Sequence, residues 1–185
     1  MPRSGLTRAA VVDAAAALAD EIGFEQLTLL ALARRLDVRS PSLFNHVEGL
    51  AGLRRELQLK GLAEMTDLVS RATSGLAGGE AVIAAAGAIR DFARRRPGLY
   101  AAALPSAPPG DPELAAAGEE FVGTFFTAMR GYGLEGDDAV HAVRGLFSTV
   151  HGFVMLELAG TFGLPIGVDE SFHRLVRRYV ESLEG

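Results

Sequence analysis

Apolar residues recur at the helical spacing of three and four positions along almost the whole chain. The first such stripe joins four positions, Val11, Ala15, Leu18 and Ile22. Thr7 is placed to cap the start of this helix and Gly23 to end it. No stretch of the sequence alternates long enough to predict a strand, so the pattern predicts an all-α protein.

The same spacing, with glycine and proline between the stripes, predicts eight or nine helices. A second helix begins after Thr28, and a short third one begins at Ser40-Pro41, a serine cap followed by a proline in the first turn. A long helix follows Gly49, and further helices are predicted at about 80–96, 98–104, 112–131, 137–159 and 169–183. We expect residues 1–48 to form a three-helix unit and residues 49–185 to form a helical bundle.

The first three helices follow the order of a helix-turn-helix, two short helices joined by a tight turn after a longer one. On a helix of 100° per residue, Leu43 and Val47 define the buried side of the third helix. Ser42 and Asn45 then point away, where an amide can bond adenine and a hydroxyl either type of base. Arg39 is placed for a phosphate or guanine. Periodicity alone leaves an ordinary polar surface as an equal alternative.

Composition excludes several classes of protein. The 185 residues include no cysteine, which excludes disulfide scaffolds, thiolate metal sites and cysteine nucleophiles. Lys60 is the only lysine, so no P-loop motif is present, and the four histidines lack metal-ligand spacing. No run approaches the ~20 apolar residues of a membrane helix. We therefore expect a soluble cytoplasmic protein that is not an enzyme and needs no metal or cofactor.

Residues 6–57 resemble the DNA-binding domain of the tetracycline-repressor (TetR) family, through Ile22-Gly23-Phe24, Leu27-Thr28, the run 32–36 and the run 41–47. The run 150–153 (Val-His-Gly-Phe) and the run 156–160 look like the WHG subgroup of the family's C-terminal domains. The resemblance implies a homodimeric transcriptional regulator, usually a repressor. Such a protein binds a palindromic operator in double-stranded DNA and is released by a small molecule.

Three positions depart from the family pattern. The family commonly has a tyrosine at the position of Phe44 and a lysine at that of Leu50, and both usually meet phosphates, so we expect weaker nonspecific DNA affinity. Arg54 and Arg55 are candidates to replace the missing lysine in part. The tryptophan of the subgroup is Phe147 here. These losses motivate an alternative function, a helical ligand-binding or scaffold protein of the same fold with weak or lost DNA binding.

Three sets of site residues follow. The predicted DNA contacts are Thr28, Arg39, Ser40, Pro41, Ser42, Phe44, Asn45 and His46. A pocket for a small apolar or aromatic effector is predicted from Phe92, Arg96, Tyr100, Phe121, Phe125, Met129, Phe147, His151 and Met155. The predicted dimer interface comprises Phe153, Leu156, Phe172, Leu175, Val176 and Tyr179. Each apolar residue has the alternative of packing in the chain's own core, and His151 that of a hydrogen-bonded structural histidine.

Overall fold

The computed structural model describes residues 6–184, which form eight α-helices and three 3₁₀ helices and, in that range, no strand. The α-helices are α1 (Arg8–Ile22), α2 (Leu29–Arg35), α3 (Gly49–Thr73), α4 (Gly78–Arg95), α5 (Pro97–Ala103), α6 (Pro112–Met129), α7 (Gly136–Leu158) and α8 (Val168–Glu184). The 3₁₀ helices are Phe24–Gln26, Ser40–Asn45 and Arg130–Tyr132. The predicted all-α fold is confirmed. Residues 1–5 of the predicted first unit, and Gly185, lie outside the described residues.

The predicted caps of the first two helices are confirmed. The Thr7 hydroxyl accepts from the backbone N–H of Ala10 at 3.2 Å, and the Thr28 hydroxyl accepts from that of Ala31 at 3.1 Å. Gly23 ends α1 with φ of +90°, a conformation in which a side chain would be strained. Local side-chain chemistry thus sets where these helices begin and end.

The third helix, Ser40–Asn45, is a 3₁₀ helix, where the periodicity predicted an α-helix. Its cap residue is Arg39, which makes no side-chain cap bond, so the serine cap predicted at Ser40 is wrong. Leu43 is fully buried as predicted, and Val47 is buried just beyond the helix. Because a 3₁₀ helix has about three residues per turn, the side chain of Phe44 also turns outward, and it is 60% exposed.

The head formed by α1, α2 and the 40–45 helix sits on the bundle through α1 and α5. The close approach depends on Gly98, where a Cβ atom would lie 2.1 Å from the backbone of Ala19. Asp20 accepts from the backbone N–H groups of Gly98 and Leu99, each at 3.0 Å, and so caps the start of α5. Beyond this contact, α3 packs against α4, α5 and α6, and α4 packs against α7 and α8.

Within the described residues, α7 is the one helix long and apolar enough to cross a membrane by length and composition. It packs against α4, α6 and α8, so we interpret it as a core helix of the bundle. Only 33% of its apolar 18-residue window is buried inside the chain. The exposed large apolar residues of α7 lie at its C-terminal end, at Met155, Leu156 and Leu158.

Candidate functional site

None of the eight residues predicted to contact DNA is buried. Phe44 and Asn45 project from the 40–45 helix, with Ser42 half-buried beside them and Thr28 exposed at the start of α2. The preceding Arg39 is exposed and forms no ion pair with the acidic side chains of residues 6–184. The surface thus offers an amide, a hydroxyl, a cation and an apolar ring close together in the chain.

Arg54 and Arg55 are not free to replace the missing lysine, which corrects the prediction made for them. The Arg54 guanidinium lies 5.1 Å from the ring centre of Phe24 and 3.3 Å from the Glu25 carboxylate. Arg55 donates to both carboxylate oxygens of Asp111, at 2.5 and 2.8 Å, and to Glu113 at 2.6 Å.

The bonds from Arg55 lower the pKa of Asp111 to about 2, because they favour the ionised carboxylate. The Asp111 carboxylate also accepts from the backbone N–H of Leu114 at 3.1 Å, so it caps the start of α6. Arg55 therefore joins α3, the helix that follows the head, to the start of α6.

A cavity of about 540 Å³ lies between α3, α6, α7 and the loop after α5. It is lined by Gln58, Leu62, Met65, Ala103, Leu104, Pro105, Ser106, Ala107, Leu114, Ala115, Gly118, Phe121, Val122, Phe125, Phe126, Val140, Val143, Arg144, Phe147 and Ser148. Phe121, Phe125 and Phe147 are the predicted pocket residues that reach it, and their rings meet edge to face with centres 5.3 to 6.3 Å apart. This volume is in the range that encloses a small organic molecule.

The other six predicted pocket residues do not line this cavity. Arg96 is held by ion pairs with Asp20 at 2.6 Å and Glu64 at 3.1 Å, so it braces α5 against α1 and α3. The remaining five pack in the core, take part in a buried hydrogen bond, or face outward: Phe92, Met129, Tyr100, His151 and Met155. Helical spacing predicted them as pocket residues because residues of the core and residues of a cavity wall follow the same apolar pattern.

His151 forms the second layer behind the cavity wall. Its Nδ1 atom lies 2.9 Å from the buried hydroxyl of Tyr100, and its ring stacks on Phe147 with centres 6.1 Å apart. Burial lowers the pKa of His151 and raises the pKa of Tyr100, because it disfavours the charged form of each. The structure thus places His151 in a hydrogen bond with Tyr100, in line with a structural role. Among residues 6–184, no cluster of three metal-ligating side chains occurs.

Two of the predicted interface residues lie inside the chain's own core. Phe172 is 2% and Val176 is 1% exposed, because α8 turns this face toward α4 and α7. The Tyr179 hydroxyl donates to the carbonyl of Ala142, and the ring of Phe153 packs on that of Phe172 with centres 5.2 Å apart. The prediction that this stripe of α8 forms the dimer face is therefore wrong for Phe172 and Val176.

An exposed apolar segment lies at the end of α7 and in the following loop; the sequence had pointed to Leu156 as an interface residue and to Met155 as a pocket residue, and the other members were missed. Its members, which we call the 155–166 segment, are Met155, Leu156, Leu158, Phe162, Leu164 and Ile166. Beneath it, Arg90 is 5% exposed and donates to Glu157 at 2.6 and 2.8 Å and to Asp169 at 2.7 Å. Leu164 and Ile166 stand in a loop rich in glycine and proline, where helical periodicity says nothing about them.

Comparison with known proteins decides the family. A family model described as "Tetracyclin repressor-like, C-terminal domain" matches residues 82–179. An uncharacterized HTH-type transcriptional regulator of Mycobacterium tuberculosis is 35% identical over 97% of this chain and 82% of its own length. Another of Bacillus subtilis, YobS, is 36% identical over 98% of this chain and 95% of its own. The chain belongs to the tetracycline-repressor family.

Solved structures show the same fold over nearly the whole of this TetR-family chain. A tetracycline repressor variant from Acinetobacter baumannii AYE in complex with minocycline gives a TM-score of 0.73 at 21% identity and covers 97% of both chains. BioQ with its double-stranded DNA operator gives 0.72 at 24% identity and covers 98% of this chain and 99% of its own. This chain is thus a helix-turn-helix transcriptional regulator with the TetR fold, and the WHG subgroup stays a prediction.

Among the lining residues of this TetR-family chain that were not predicted from the sequence, Gln58 and Arg144 carry an amide and a charge. Gln58 is 9% exposed and donates from Nε2 to the carbonyl of Pro105 at 2.6 Å. Arg144 lies on α7 one turn from Val140 and one turn from Ser148, which also line the cavity. The spacing of Arg144 and Phe147 on one helix was a usable signal for Arg144. Nothing local marked Gln58, since its partner is distant in the chain.

Proposed function

We propose that this regulator is a homodimeric repressor that leaves its operator when a small apolar effector fills the cavity between α3, α6 and α7. The observation that carries the proposal is the pair of links from α3 to the far wall of that cavity. Arg55 holds the start of α6, and Gln58 holds the loop at Pro105. Because α3 begins at Gly49, soon after the 40–45 helix, a shift of α3 moves the DNA-reading surface.

We assign DNA reading to the eight exposed or half-exposed residues predicted from the sequence. Ser42 and Asn45 are one 3₁₀ turn apart and share a face, so the amide of Asn45 reads adenine and Ser42 the neighbouring base. The exposed ring of Phe44 suits a thymine methyl group, and Arg39 suits a phosphate or guanine. Two regulators of the helix-turn-helix type as relatives, and the solved BioQ–operator complex of the same fold, support this assignment.

The dimer interface is assigned to the 155–166 segment, which comprises the end of α7 and the loop after it. In the single chain Leu164 is 77%, Ile166 66% and Leu156 48% exposed. Soluble monomers rarely expose so many large apolar side chains in one stretch. A second copy related by a two-fold axis covers the same segment on both chains at once. It also supplies the second head that a palindromic operator requires, with half-sites ~34 Å apart for one helical turn of DNA.

Effector and DNA compete through the position of α3. One wall of the cavity is α3, and the opposite walls are α6, whose start Arg55 holds, and the loop at Pro105, which Gln58 holds. A molecule between these walls strains both links and moves α3 relative to α6. Such an effector acts only through its different affinity for the two forms, and a coupling of ~1–3 kcal/mol relaxes operator binding ~5–150-fold. The minocycline complex of a tetracycline repressor with this fold supports an internal effector site.

On this proposal residues 1–48 read DNA, and residues 49–185 bind the effector and the second subunit. The protein then acts in the cytoplasm, where its DNA is, and needs neither catalytic groups nor a cofactor.

Fluorescence anisotropy with the DNA that flanks its own gene tests the proposal. We expect a palindrome bound by two chains, with Asn45→Ala weakening binding by ~1–3 kcal/mol and relaxing one symmetric base pair per half-site. Arg39→Ala, if its contact is a phosphate, weakens all sequences alike and reduces the salt slope by ~1. Failure to bind at both low and high salt refutes the repressor. It favours the alternative of a ligand-binding or scaffold protein, which Phe44 and Leu50 motivate.

A further inference from the structure

The cavity carries a charge of the opposite sign to that of the whole chain. The chain has 23 acidic and 18 basic residues besides its histidines, for a formal net charge of −5. Among the residues that line the cavity, by contrast, Arg144 is the one charged side chain, and none is acidic. The cavity lining therefore combines apolar side chains with one guanidinium group, that of Arg144, and contains no carboxylate to neutralise it.

Arg144 stands apart from the other arginines that face the bundle. Arg90 and Arg96 are both held by carboxylates, whereas no acidic side chain of residues 6–184 lies within ion-pair distance of Arg144. It is exposed and lines the cavity, and Ser148, which also lines the cavity, is one turn further along α7. The rings of Phe121, Phe125 and Phe147 form the deeper wall.

We propose that the effector is an amphiphilic anion: a carboxylate joined to an alkyl chain or an aromatic ring. Its carboxylate accepts the paired N–H groups of Arg144 and the O–H of Ser148, and its apolar body lies among the three phenylalanines. A cation of the same shape meets a like charge and finds no carboxylate in the lining. This inference rests on the cavity being the effector site, as proposed above.

Three probes with ten carbon atoms each and different head groups test the charge preference on the full-length protein. Calorimetry is carried out with decanoate, 1-decanol and decylamine, and each probe is checked by thermal shift. We expect decanoate to bind ~10-fold more tightly than decanol, and decylamine to bind most weakly. Arg144→Gln should lower decanoate affinity ~10-fold and leave decanol within ~2-fold. Arg144→Glu should invert the order of decanoate and decylamine.

Arg130→Gln is the matched control, since Arg130 is exposed at the end of α6, outside the cavity, and forms no ion pair with residues 6–184. It removes the same charge and should leave all three affinities unchanged. Equal affinity for decanoate and decanol, or equal effects of Arg144→Gln and Arg130→Gln, overturns the anionic class and leaves the apolar effector site standing. Binding of none of the three overturns this inference and the effector site together. The operator titration then shows independently whether DNA reading survives.

Discussion

Filling the cavity from its own wall should separate effector binding from DNA binding. Gly118 lies inside α6 and lines the cavity, and a Cβ atom built there meets no heavy atom within 4 Å. A leucine at this position therefore extends into the space that the effector needs. Gly123 lies in the same helix and its Cβ atom also meets nothing within 4 Å, but it does not line the cavity. Gly123→Leu is thus a matched control for Gly118→Leu.

The expected magnitudes follow from these two positions. Replacing a glycine inside a helix by leucine gains ~0.5–1 kcal/mol, so both variants should unfold at a temperature ~1–4 °C higher. Only the Gly118 variant overlaps with a molecule in the cavity, and relieving such an overlap costs ~1–3 kcal/mol. Its effector affinity should therefore fall ~5–150-fold, while Gly123→Leu binds the effector normally.

Operator anisotropy with and without decanoate measures the outcome. Without ligand, both variants should bind the operator within ~2-fold of the unmodified protein, because α3 and the 40–45 helix are untouched. With decanoate, Gly118→Leu should stay on the DNA and Gly123→Leu should be released. If both variants are released equally well, the cavity is not the effector site and the reasoning fails.

Three further outcomes are expected. Leu156→Glu should sediment as a monomer at micromolar concentration, whereas Ile83→Glu, which changes an exposed apolar residue of α4, should remain a dimer. Arg90→Leu should lower the free energy of unfolding by about 3 kcal/mol in urea titrations, since Glu157, 16% exposed, then loses both hydrogen bonds from Arg90 and keeps only Arg94 at 3.9 Å. An effect no larger than that of Arg174→Leu at the surface contradicts this. Burial lowers the pKa of His151 in the folded protein, so the unfolded chain takes up the proton first as the pH falls. The free energy of unfolding is therefore undiminished above the unfolded pKa of ~6.5 and decreases as the pH falls below that value. The free energy of unfolding should thus drop between pH 7 and pH 5, and drop less in His151→Gln; parallel pH profiles would show that this histidine is not responsible.

Local chemistry made most of the fold predictable. The N-caps Thr7 and Thr28 act on backbone groups three residues away, and the core positions Leu43 and Val47 follow from spacing within one short segment. Two local errors, the α-helix expected at 40–45 and the cap expected at Ser40, left both core residues correct. The expected α-helix did not give the outward direction of Phe44, because a 3₁₀ helix turns by about 120° per residue and an α-helix by about 100°.

What the sequence by itself determined is which residues are apolar, where helices begin and end, and that a helix-turn-helix precedes a helical bundle. What only the tertiary structure decided is which neighbour covers each apolar stripe. Phe172 and Val176 have the same spacing whether they face α4 or a second subunit, so the pattern alone did not separate core from interface. The links of Arg55 to Asp111 and of Gln58 to Pro105 join positions far apart in the chain. The energy of these two links depends on distances that exist only after the helices have packed, so no sequence motif predicts them.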